Sequence, residues 1–168
     1  MKKVQKLTLA GLLCAIAVVG SLFSFPMFAS RCAPVQHMVN VLAAVFLGPG
    51  YAVGIAFTAS LLRNVFGLGT VLAFPGSMFG ALLASVVFRK TEKIWATCCG
   101  EVFGTAILGG LSAYPLALIF FGKQAAGVAF YSYIVPFLIS TAVGAFLAGI
   151  CVYSVLRVES SLVVKEKK

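Results

Sequence analysis

Charge is scarce in this sequence. Asp, Glu, Lys and Arg make up 10% of its 168 residues, and the acidic ones number four. A soluble domain carries charge at roughly a quarter of its positions, so a surface facing water is excluded. No charged residue at all occurs in 7–30, 32–62, 64–88, 102–122 or 124–156. A helix crossing a bilayer takes about 20 apolar residues, and each of these gaps meets or passes that length. The pattern predicts a polytopic integral membrane protein whose outer surface faces the lipid bilayer.

Metal and redox patterns are missing too. Five cysteines (Cys14, Cys32, Cys98, Cys99 and Cys151) form no CxxC and no metal-ligand spacing, and histidine occurs once. The cysteines read as small buried hydrophobes, except Cys32, which is expected to face outward without a role. No metal, cofactor or catalytic residue is expected. There is no GxxxxGK[ST] phosphate loop, no soluble domain and no duplicated half of the kind many secondary transporters carry. Nothing in the sequence drives transport by itself.

What charge there is falls in clusters. The net charge of +9 does not point to nucleic acid, because the basic residues sit beside the ends of apolar runs. Lys2, Lys3 and Lys6 open the chain, Arg89, Lys90 and Lys93 flank Glu92, and Arg157, Lys165, Lys167 and Lys168 close it. The positive-inside rule places all three clusters in the cytoplasm. Arg31, Arg63 and Lys123 are solitary. The basic start and first apolar run resemble a signal peptide; since the rest of the chain is equally apolar, an uncleaved first helix is the expectation.

The expected fold is all-α: a six-helix transmembrane bundle, both termini cytoplasmic, forming one domain over 1–157 with a basic tail at 158–168. The helices are expected at about 4–25, 35–47, 51–66, 75–88, 94–114 and 134–156. Pro26 stops the first, Gly48 and Pro49 separate the second from the third, and Pro115 halts the fifth. The stretch 116–131 is ambiguous, with Lys123 at an outside turn. Helices two and three reach only about 20–24 Å against a core of about 30 Å, so they either thin the bilayer or form a re-entrant pair. Small residues recur at helical spacing, as in Gly76, Gly80, Ala84 and Ser140, Gly144, Ala148, and let helices approach closely in lipid. Helix one offers Ala10–Cys14 and Gly11–Ala15, a face suited to its own bundle or to a partner protein.

Against this background "APVQHMVNVLAAVFLGPGYAVGIAFTASLLRN", residues 33–64, concentrates polarity. Gln36, His37 and Asn40 share a helix face at three- and four-residue spacing, and Arg63 and Asn64 end the next helix at the same outer level. Glu101 is the one acidic residue within an apolar span. Ionisable groups at such depth default to functional hypotheses; its candidate partners are Arg63 or a ligand group. Thr105 follows one turn outward, and Tyr114, Tyr131 and Tyr133 lie at the outer level, as site residues or as an interface belt. This set suits a small heteroaromatic with a few hydrogen-bonding groups. His37 and Glu101 are expected at different depths, which argues against acid–base catalysis between them. A self-sufficient oligomeric transporter or channel using Glu101 is the alternative.

Three blocks, "APVQHMVNVLAAVFLGPGYAVGIAF", "LLRNVFGLGTVLAFPGSMFGALLA" and "GEVFGTAILGGLSAYP", closely resemble the ThiW family of substrate-binding (S) components of energy-coupling factor (ECF) transporters. The resemblance spans about residues 7–150. It implies a six-helix S component in the cell membrane that captures a vitamin precursor outside, hydroxyethylthiazole or thiamine. Its partners would be a transmembrane coupling subunit and two ATPase subunits. Such families often dock the coupling subunit through Ala-xxx-Ala on helix one; here the corresponding residues are Ala10, Gly11, Cys14 and Ala15.

Overall fold

A computed structural model describes residues 1–27, 30–122, 127 and 129–166, with side chains up to Arg157 except that of Ser30. Lys123, expected at an outside turn, and Lys167 and Lys168 of the tail lie outside the described residues.

The first helix, α1 (Lys3–Gly20), tightens into a 3-10 turn at Ser21–Phe23. A short antiparallel hairpin follows, β1 (Phe25–Met27) and β2 (Ser30–Cys32), with Pro26 paired to Arg31. The fold is mostly helical, and this short hairpin is an addition that the sequence did not predict. Strands of three residues leave no alternating pattern to read, and Pro26, which donates no ladder bond, is tolerated in a strand that has only one neighbour.

Next come α2 (Pro34–Phe46) and α3 (Pro49–Val65). Gly48 separates them at φ +86, and its N–H and that of Leu47 both cap the Ala43 carbonyl. Only glycine takes such a φ without cost, and Pro49 starts the next helix with a preset φ. The helix α4 (Ala73–Thr91) begins two residues earlier than expected and ends three later. Pro75 falls in its first turn, where no intrahelical donor is needed.

The fifth expected helix does not stop at Pro115. It runs as α5 (Ile94–Phe103), a π-helical segment (Gly104–Gly109) and α6 (Gly110–Phe121) in one continuous rod. In lipid a helix keeps its backbone bonds internal, and π adjustments accommodate a proline. The last helix, α7 (Ile134–Glu166), extends beyond the expected 156. Among the described residues three helical spans are long and apolar enough to cross a membrane: Lys3–Phe23, Ile94–Phe121 and Ile134–Arg157.

The packing is inverted relative to a soluble protein. Large apolar side chains such as Leu7, Ile119 and Phe146 point outward, while Gln36, Asn40, Ser60, Arg63, Ser77, Glu101 and Thr105 are buried. Alanines dominate the apolar core between α1, α2 and α3. Glycines bring the other backbones together. A Cβ on Gly104 would lie 2.7 Å from the Phe79 carbonyl, one on Gly109 would strike Gly76, and one on Gly144 of α7 would strike the Pro34 carbonyl. The small faces of α4 and α7 therefore act as helix–helix contacts, which sets α2, α4, α5 and α7 close around one another.

Candidate functional site

The polar residues of four helices meet in that close-packed region. Pro34 opens α2 and directs Gln36, His37 and Asn40 inward from one face. Glu101, buried with no exposed surface, reaches them from the last turn of α5. Its Oε1 lies 2.9 Å from His37 Nδ1 and accepts from Asn40 Nδ2 at 3.0 Å and Thr105 Oγ1 at 3.1 Å. An ionised Glu101 places the proton on Nδ1 and leaves Nε2 as the ring's acceptor. Two expectations are corrected. Glu101 pairs with His37 and not with Arg63, and the two lie at one level, because the hairpin and the close α2–α5 approach bring the start of α2 alongside the end of α5.

Room for the carboxylate comes from α4. A Cβ on Gly80 would lie 2.6 Å from Glu101 Oε2 and would collide with Thr105 Oγ1. Bare backbone at this position lets the acid tuck against α4. The π-helical segment begins at Gly104 and rotates Thr105 so that its hydroxyl also meets the Gly76 carbonyl, at 3.1 Å. Such segments are often found at functional sites.

A second chain of bonds leads outward. Gln36 Nε2 donates to Ser60 Oγ at 2.9 Å, and Ser60 and Ser77 share a hydroxyl contact of the same length. Asn40 Nδ2 also reaches the Ser77 carbonyl. Asn64 serves structure: its amide holds the carbonyls of Ser60 and Thr70, tying α3 to the following loop. Neither Ser60 nor Ser77 was expected at the site. The spacing Ser60–Arg63–Asn64, three and four apart, was the available signal, whereas Ser77 was indistinguishable from a packing residue.

Together Arg31, Gln36, His37, Arg63, Ser77, Thr105 and Phe137 line a small cavity of about 20 Å³, room for one water. A ring-sized ligand enters only if the surrounding groups part. Among the described residues Gln36 Oε1, Asn40 Oδ1, Arg63 Nε, Glu101 Oε2 and Thr141 Oγ1 are buried without a protein partner; Gln36 and Arg63 line the cavity, and Asn40 and Glu101 belong to the network beside it. Buried polar groups are normally paired, so this concentration of unpaired ones marks a place built for something else to bind. A far wider concavity of about 1060 Å³ lies between α5 and α7, but its walls are almost wholly apolar. It offers a ligand little to orient against.

The tyrosines stay apart from the network. Tyr133 is buried with Tyr114 against Leu72 and Phe137, so it touches the site only through Phe137. Tyr131 is exposed and stacks edge-on with Phe130. Cys32, expected to face outward, is buried. Its thiol donates to the Pro136 carbonyl at 3.4 Å, while the neighbouring Ala33 N–H bonds Ser140, and burial raises the thiol above its usual range. This pins the hairpin to α7. Of the helix-one face, Ala10 is buried, Cys14 half-buried, and Gly11 and Ala15 exposed; all four border a shallow groove against Gly50, Gly54 and Thr58 of α3. Among the described residues no cluster of metal-ligating side chains occurs.

Three comparisons bear on this arrangement. The model of the family described as thiamine-precursor transporter protein (ThiW) matches residues 7–158, a family of transporters and not of enzymes. Among the curated proteins none matches. A solved structure reported as "Structure and mechanism of the S component of a bacterial ECF transporter" superposes with a TM-score of 0.66 at 16% identity, over 96% of this chain and 99% of that one. The likeness shows a shared fold.

Proposed function

The chain belongs to the ThiW family of thiamine-precursor transporter proteins, and on that premise we propose that it is the substrate-specific binding subunit of an ECF-type importer. It sits in the cell membrane as six crossings with both termini in the cytoplasm. It captures hydroxyethylthiazole, or thiamine itself, from outside. A coupling subunit and two ATPases, none of them encoded in this chain, power the import.

The observation that carries the reading is the buried Glu101 carboxylate, held by His37, Asn40 and Thr105 beside a cavity to which Gln36 and Arg63 each bring an unpaired polar atom. A thiazole fits this chemistry. Its ring packs against Phe137, its nitrogen accepts from Asn40 or His37, and its hydroxyl meets Glu101 or Thr105. Asn64 is already committed to backbone carbonyls, which leaves the acid as the hydroxyl's partner. In water these bonds would be worth little, because solvent competes for them; in a desolvated site each is stronger. Closure around the ligand supplies that desolvation.

The groove between α1 and α3 supports the partner assignment. Cβ atoms on Gly11, Gly50 and Gly54 would touch nothing, so these glycines are not needed for packing within the chain. They leave space for a helix of another subunit to approach closely.

Uptake into vesicles provides the test. Membranes holding this chain together with a coupling subunit and ATPases should accumulate labelled hydroxyethylthiazole when ATP is inside, and membranes holding this chain alone should bind it without accumulation. Accumulation against a gradient by the chain alone would overturn the reading in favour of a self-sufficient transporter.

A further inference from the structure

The outer end of the cavity carries more positive charge than the protein compensates. Arg31 on β2 and Arg63 in the last turn of α3 both line it. Arg63 is 2% exposed, and its Nε has no protein partner. Arg31 donates from Nη1 to the Gly67 carbonyl at 3.2 Å, a bond to a neutral group. Among the described residues no carboxylate lies within ion-pairing distance of either arginine. Glu101 is the sole acid in the cluster, and its Oε1 is taken by His37, Asn40 and Thr105.

Arg63 is buried and Arg31 half-buried at the cavity's outer end, and the one carboxylate of the cluster bonds neither. An uncompensated buried ion is costly, and an arginine could have reached water by extending outward. Arg63 instead stays buried along the cavity wall, where its planar fork suits the oxygens of a carboxylate or a phosphate. A neutral alcohol offers no such counter-charge.

We propose that the ligand of highest affinity is an anionic thiazole, bearing a phosphate monoester or a carboxylate, whose anionic oxygens dock between Arg31 and Arg63 while the ring lies toward His37 and Phe137. The inference rests on the thiazole reading above and refines its substrate class. The anion neutralises the excess charge and satisfies Arg63 Nε in the same step.

The whole chain in lipid nanodiscs, titrated with hydroxyethylthiazole, its phosphate monoester and a carboxylated thiazole, decides the matter. At least one anionic compound should bind about tenfold or more tighter than the alcohol, as a charge-assisted bond implies, and inorganic phosphate should compete with it. In R31Q, placed on the half-exposed hairpin where folding is least at risk, and in R63K, which keeps the charge but loses the fork, the ratio of the two Kd values should fall towards one. An alcohol that binds as tightly as both anions overturns the proposal and leaves the transporter reading intact. An anion preference that R31Q and R63K both leave unchanged overturns the assignment to this arginine pair. Failure of every thiazole to bind overturns the thiazole reading, and the proposal falls with it.

Discussion

His37 Nδ1 and Glu101 Oε1 stand 2.9 Å apart across the α2–α5 interface, 64 residues apart in sequence. The contact joins the chain's single histidine to the single acid of its apolar spans. Since Asn40 and Thr105 point at the same oxygen, the carboxylate organises the site: three donors converge on one acceptor, and removing it leaves His37 Nδ1 without its partner while Asn40 and Thr105 keep only the Ser77 and Gly76 carbonyls.

Glu101→Gln is therefore expected to weaken ligand binding about tenfold or more and to destabilise the protein by about 1–3 kcal/mol. The amide oxygen still accepts in the place of Oε1, but the weaker, uncharged acceptor holds its three donors less firmly, and the NH₂ stands where Oε2 has no protein partner. Glu101→Ala should cost more, about 3–5 kcal/mol, as when one member of a buried pair is deleted. Thermal unfolding in detergent, with and without ligand, measures both.

Gly80→Ala should disrupt the same contact from the opposite side. Its Cβ would lie 2.6 Å from Glu101 Oε2, so either the carboxylate leaves its donors or α4 moves away from α5. Overpacking of this kind costs about 1–3 kcal/mol. Gly54→Ala, where an added Cβ meets nothing, should change stability by no more than about 0.5 kcal/mol. Equal melting temperatures for the two variants would contradict the packing described for Gly80.

Gly11→Trp should separate binding from transport. The residue is exposed on the α1–α3 groove, remote from His37 and Glu101. Ligand affinity of the isolated chain should stay within about twofold of the parent, well under the 1.4 kcal/mol that a tenfold change represents. ATP-driven uptake with the partner subunits, assayed in the same vesicles, should be lost.

Glu92→Gly should stabilise the chain. Glu92 caps α4 at φ +53, the one non-glycine residue with positive φ among those described. A residue with a Cβ pays about 1–2 kcal/mol there, which glycine avoids. Part of that gain is offset by the extra freedom of glycine in the unfolded chain. A rise in melting temperature without any change in ligand affinity is the expected result.

The sequence by itself determined the solvent and most of the helices. Missing charge over five long stretches leaves lipid as the surroundings, and the Gly48–Pro49 junction marks its own helix break, because only glycine takes φ +86 easily and proline cannot continue the preceding ladder. The grouping of Gln36, His37 and Asn40 was legible as well, since helical spacing alone puts them on one face. Proline misled at 115. A helix in lipid gains so much from internal hydrogen bonds that one missing donor does not end it.

Tertiary structure alone decided who meets whom. Arg63 or a ligand group are the partners the sequence suggests for Glu101, whereas the structure gives it His37; depth along a helix depends on tilt and on how closely neighbours approach, and those follow from glycines whose partners lie on other helices. Gly80 in sequence is one small residue among many; in space it opens the gap that the carboxylate occupies. Arg31 was solitary in the chain, yet the hairpin carries it to the cavity that Arg63 lines. Local patterns encode faces, whereas a site in a membrane bundle is made by the packing that brings those faces together.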